Sequence, residues 1–115
     1  MGGLFEKYSF TQEGFPKINL KPVIVKIGSK SAISKVEEYL AINNYLDIKT
    51  NLQFNEVFGC REGLDYTISA IQDGGKTIIN VAVYCENKIG RSRKALVTIV
   101  RELRALFIDS LADIN

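Results

Sequence analysis

This sequence predicts an α+β two-layer sandwich. The expected sheet is antiparallel, in the order β-α-β-β-β-α, with both helices packed on one face. Three observations carry that expectation. Residues 64–71 and 77–85 alternate apolar and polar on either side of Asp73-Gly74-Gly75-Lys76, as half-buried strands joined by a tight turn do. Residues 92–111 set Leu96, Ile99, Val100, Leu103, Leu106, Phe107 and Leu111 on one stripe at helical spacing. Residues 31–44 do the same with Ala32, Ile33, Val36, Tyr39 and Leu40. A sheet with one polar face buries the other under such helices, which gives two layers.

The elements follow in chain order. In residues 1–21, Leu4-Phe5, Tyr8 and Phe10 suit a short strand, Gly14-Phe15-Pro16 breaks it, and Ile18 and Leu20 alternate with polar neighbours. This segment is expected as an additional edge strand or a docked tail, because four aromatics left in water would be unfavourable. Residues 22–27 are β-branched behind a proline, which suits a strand start or an edge. Gly28 ends the strand, and Ser29 or Ser31 is placed to cap the first helix. Asn43-Asn44 is its expected stop, since asparagine tolerates the left-handed conformation.

Residues 46–58 read as one half-buried strand with Ile48, Leu52 and Phe54 inward. Its alternation slips at Glu56-Val57-Phe58, which predicts a bulge or bend. Residues 59–63 form a turn. Leu64, Tyr66, Ile68 and Ala70 then face inward, as do Ile79, Val81, Val83 and Cys85 after the next turn. Short turns between these three strands make an antiparallel meander the economical connection. The element order resembles the β-α-β-β-β-β-α arrangement of TATA-box-binding-protein-like and helix-grip domains. The resemblance is architectural, and fold likeness by itself implies no function.

Length and composition bound the function. A chain of 115 residues is expected to form a single domain, residues 1–115, with one core. Its 46% apolar and 24% charged residues are ordinary for a globular protein. A net charge of +2 is too small to target the whole molecule to nucleic acid or membrane. No stretch is apolar for long enough to cross a bilayer, and the N-terminus lacks a signal-peptide layout. Met1-Gly2-Gly3 is not a myristoylation motif, because Glu6 stands where Ser or Thr is needed. A cytoplasmic protein is expected. Cys60 and Cys85 are too few for a disulfide scaffold and read as reduced thiols, a bridge between strand ends being the alternative.

The sequence contains no histidine, which removes Ser/His and Cys/His catalytic sets and imidazole metal ligands. No metal site and no cofactor are expected. No carboxylate pair is singled out by spacing: Glu37-Glu38 lie on a polar helix face, Glu62 and Asp65 flank a turn, and Glu56 falls near the core parity of its strand. Cys60 lies beside Arg61, a cation able to lower a thiol pKa, but no base accompanies it. The protein is therefore expected not to be an enzyme.

One cluster points to a ligand. Lys88, Arg91, Ser92, Arg93 and Lys94 gather at the start of the last helix, where the macrodipole disfavours cations and free backbone N–H groups favour an anion. Arg101 and Arg104 continue the basic patch along the helix, and Glu102 and Asp109 fall on the opposite, solvated flank. The opposing reading is a solvated turn with outward charges. The leading functional expectation is a non-enzymatic binding module acting through protein–protein association, including self-association, at an open sheet edge or face. The alternatives are phosphate or nucleic-acid binding through the 88–104 patch, and carriage of a small apolar ligand between the last helix and the sheet.

Overall fold

The structure is a computed structural model. It describes residues 5–10, 16–20, 23–84 and 89–112, the first two stretches by their backbone alone. Strands β1 (Phe5–Phe10) and β2 (Pro16–Leu20) pair antiparallel in a two-stranded sheet of their own. The N-terminal segment thus forms a hairpin and does not extend the main sheet. The Gly14-Phe15 break lies outside the described residues.

Next come β3 (Val23–Val25), α1 (Ser29–Ile42), β4 (Leu46–Asn51), β5 (Glu56–Arg61), β6 (Leu64–Asp73), β7 (Lys76–Tyr84) and α2 (Ile89–Leu106). The main sheet is antiparallel, in the order β3-β7-β6-β5-β4. Register aligns the core-facing side chains in rows. Val23, Ile79 and Ala70 form one row, and Val81, Ile68 and Val57 the next. α1 packs against β4, β5 and β6, and α2 against β7 and β3. Ala32, Ile33, Val36, Leu40, Ile99, Leu103 and Phe107 close the core from the helix side. The protein is an α+β sandwich with its helices packed on the sheet, as its periodicities predict.

The segment expected as one strand over 46–58 is instead divided. β4 ends at Asn51, and residues 52–55 turn the chain back into β5. Leu52 and Phe54, expected inward, are each 62% exposed. The turn contains neither glycine nor proline. Asn51 Oδ1 accepts the N–H of Gln53 at 3.1 Å, and Asn55 takes a left-handed φ of 51°. Asparagine supplies both functions, closing a local turn and tolerating positive φ. The slip at residues 56–58 marks this reversal, and the expected 59–63 turn contracts to Glu62-Gly63. Around the main sheet the order becomes β-α-β-β-β-β-α, the arrangement the sequence resembles.

The helix ends also differ from expectation. α1 begins behind Gly28 with no side-chain cap; its first N–H, on Ser29, donates to Gln72 Oε1 at 2.9 Å. α2 starts at Ile89 and ends at Leu106, so its expected span of 92–111 moves toward the N-terminus. After α2 the chain turns, and Leu111 bridges to Val25. Lys26 N–H donates to Ser110 O at 2.7 Å, and Ala112 N–H to Ile24 O at 2.8 Å. Residues 110–112 therefore cover the outer edge of β3. No helix among the described residues is long and apolar enough to cross a membrane.

Candidate functional site

Two features stand out once the fold is built: a cleft beside α2 and a strand edge that no described segment covers. The cleft begins at the C-terminus of α1. Asn44 takes a left-handed φ of 64°, Asn43 N–H returns to Tyr39 O at 3.0 Å, and Tyr45 N–H reaches back to Leu40 O at 3.0 Å. That is a Schellman-type stop, and it turns Tyr45 inward beneath the sheet. Gly59 of β5 lies against this turn: a Cβ at that position would meet Leu40 Cδ1 at 3.4 Å and Tyr45 Cβ at 3.6 Å, ordinary van der Waals contacts. Tyr66 of β6 meets Tyr45 edge-on, with ring centroids 4.9 Å apart, and Tyr39 lies 6.1 Å from Tyr45.

The three rings are buried, so their hydroxyls need partners. Tyr39 Oη donates to Glu102 Oε1 on α2. Burial, followed by that bond and by Tyr45, pushes the Tyr39 phenol above its ordinary value. Burial and Tyr45 likewise raise Tyr66. Both phenols therefore stay protonated through neutral pH, and that of Tyr39 acts as a donor.

Arg61 closes the β5 end of this cluster. Its guanidinium stands 5.0 Å from the Tyr45 ring centroid, a cation–π contact. The Glu62-Gly63 turn that follows has left-handed φ values of 55° and 77°. Across the cleft, Arg91 of α2 donates to the Glu62 carbonyl at 2.6 Å, tying the start of α2 to this turn. A cavity of about 280 Å³ opens here, walled by Arg61, Arg91, Lys94, Tyr66, Ile99 and Glu102 among others.

The basic patch expected from the sequence is divided by the helix. Arg91 and Lys94 face the cleft, and they also join Arg93 and Arg101 along a shallow outward groove of α2. Ser92 is buried, and neither Ser92, Arg93 nor Arg104 is without a partner. Lys88 lies outside the described residues. Because α2 starts at Ile89, the N–H groups of Arg93 and Lys94 fall beyond its first four positions, where helical bonds take them up.

Tyr45, Arg61, Tyr66 and Glu102 were not among the residues expected to form a site. Arg61 and Glu102 stood in the sequence as a neighbour of Cys60 and as a solvated flank residue. Glu102 is half-buried and hydrogen-bonded, contrary to that expectation. Cys60 is a free thiol whose pKa is raised by burial and by Asp65, its cross-strand partner, so Arg61 does not activate it. Cys85 lies outside the described residues. No group of three or more Cys, Asp or Glu residues able to hold a metal ion occurs among the described residues.

The second feature is β4. The opposite edge of the sheet, β3, is covered by residues 110–112, whereas no described segment pairs with the outer edge of β4. Apolar side chains flank it. Ile42 and Leu46 lie at one end, 71% and 65% exposed, with Leu52 and Phe54 at the other. The strand is irregular near its start: register shifts between Leu46 and Lys49, and Asp47 has a φ of 52°. A bulge and two charges are common guards against indiscriminate edge pairing. No family model, curated protein or solved structure matches this chain.

Proposed function

We propose that the protein is a non-enzymatic, cytoplasmic binding module that works by association, its partner at the β4 edge being a second copy of the same chain. The single observation behind this reading is the contrast between the two edges: one is covered by residues 110–112, and no described segment pairs with the other. An open edge presents unpaired N–H and C=O groups that another strand can satisfy. Four exposed apolar side chains at its two ends would add burial on pairing. Asp47 and Lys49 give the edge one charge of each sign, so two antiparallel copies can oppose unlike charges.

Sedimentation over a concentration series tests the reading. A dimer is expected at tens of micromolar, roughly the concentration at which a micromolar dissociation constant saturates. Leu46→Glu combined with Leu52→Glu is expected to give a monomer with unchanged unfolding, since both positions are exposed. A parent that stays monomeric up to about 1 mM, a dissociation constant worth only about 4 kcal/mol, would refute self-association. So would a double variant that dimerises as the parent does.

A second reading, polyanion binding, draws support from Arg91, Arg93, Lys94 and Arg101 along the outward groove of α2. It requires heparin or DNA retention that falls steeply with salt and weakens in Arg91→Gln/Arg93→Gln.

A further inference from the structure

We infer that the cleft between α2 and the β5–β6 end of the sheet binds a small organic carboxylate with a compact apolar body. The cleft site is independent of the β4 edge.

The cleft has a charged mouth and an apolar floor. Arg61, Arg91 and Lys94 come from two elements, β5 and α2, and converge on one cavity. Leu64, Ala95 and Ile99 supply apolar wall, and Tyr66 presents an aromatic ring. The two acidic residues of the wall already have partners, and that of Glu62 is Arg61 of the same wall. Glu102 accepts from Tyr39. The Glu62 side chain is 70% exposed and makes only a 3.8 Å contact with Arg61 Nε. Arg91 uses one nitrogen on the Glu62 carbonyl, which leaves further donors of its planar fork for a ligand.

Size and charge choose the ligand class. A volume of about 280 Å³ lies just below the range of drug-sized pockets, about 300–1,000 Å³, so the ligand is small. Three cations against two carboxylates leave the lining with one positive charge. A monoanion balances that charge, whereas a phosphate monoester dianion would overshoot it. Guanidinium groups match a carboxylate in two-point geometry, and the apolar wall takes the remainder of the molecule.

The test uses the full chain and 3-phenylpropionate, with 3-phenylpropanamide as the neutral isostere and phenyl phosphate as the dianion. Amide chemical-shift titration gives affinity and location together. The expected result is saturable binding of the carboxylate with shifts centred on Tyr66, Ala95 and Thr98, and little binding of the amide. Arg61→Gln is expected to weaken binding by about tenfold, the equivalent of one charge-assisted hydrogen bond. Lys94→Gln, a substitution at an exposed position, should weaken it a few-fold with unchanged thermal unfolding. Equal binding of the amide, shifts centred elsewhere, or undiminished affinity in both variants would overturn the site. Tighter binding of phenyl phosphate would overturn the monoanion assignment.

Discussion

Removing the carboxylate of Glu102 is a sharp test of how α1 and α2 are joined. A solvated flank residue would cost under about 0.5 kcal/mol on replacement by alanine, and the helical pattern alone assigns Glu102 that role. The structure places its carboxylate on the hydroxyl of Tyr39, a residue only 8% exposed and 63 positions away. Glu102→Ala leaves that donor without its acceptor, a loss of about 1–3 kcal/mol for a buried polar group. Two features favour the lower half of that range. Tyr45 packs beside Tyr39, with ring centroids 6.1 Å apart, and can supply a second oxygen, and the adjoining cavity can admit water. The expected cost is therefore about 1–2 kcal/mol, which lowers the urea midpoint by roughly 1 M for a small domain. Tyr39→Phe removes the donor, so in Tyr39→Phe/Glu102→Ala the second change should add little. Urea unfolding followed by circular dichroism on the four proteins gives the coupling directly. A Glu102→Ala cost below about 0.5 kcal/mol with no coupling would show that the two helices are not joined through this bond.

Two further outcomes follow from the same core. Leu103 is fully buried beneath the sheet, so Leu103→Ala should lower unfolding free energy by about 2–5 kcal/mol, measurable in the same denaturant series; a cost under about 1 kcal/mol would mean that α2 presents another face. Alkaline stability should depend on the tyrosines. Tyr39 and Tyr66 have folded pKa values above the unfolded value of about 10, chiefly through burial. Their contribution is complete below that pH and is lost as pH rises above it, because the unfolded chain then releases protons that the folded one retains. Thermal unfolding from pH 8 to 11 should fall less steeply in Tyr39→Phe/Tyr66→Phe than in the parent, and identical slopes would exclude this origin.

What the sequence alone determines is set by local periodicity. The alternation of Leu64, Tyr66, Ile68 and Ala70, and of Ile79, Val81 and Val83, is repeated in the inward face of β6 and β7, because side chains in a strand must alternate. Ala32, Ile33, Val36, Leu40 and Leu103 lie where helical spacing puts them. The Asn43-Asn44 stop was equally legible, since left-handed backbone has few tolerant residues. The reversal at residues 52–55 was not. Leu52 and Phe54 continue the alternation of β4, and a turn made by two asparagines has no glycine or proline to announce it. Tertiary structure alone decided the cleft. Tyr39 and Glu102, and Arg91 and the Glu62 carbonyl, are joined across separations of 63 and 29 residues. No local period encodes such pairs. They exist because two helices must share one face of one sheet, and that packing brings the flank of α2 over the end of β5. The contrast between the two sheet edges has the same origin: β3 is covered because the chain after α2 folds back onto it, and no described segment does so at β4.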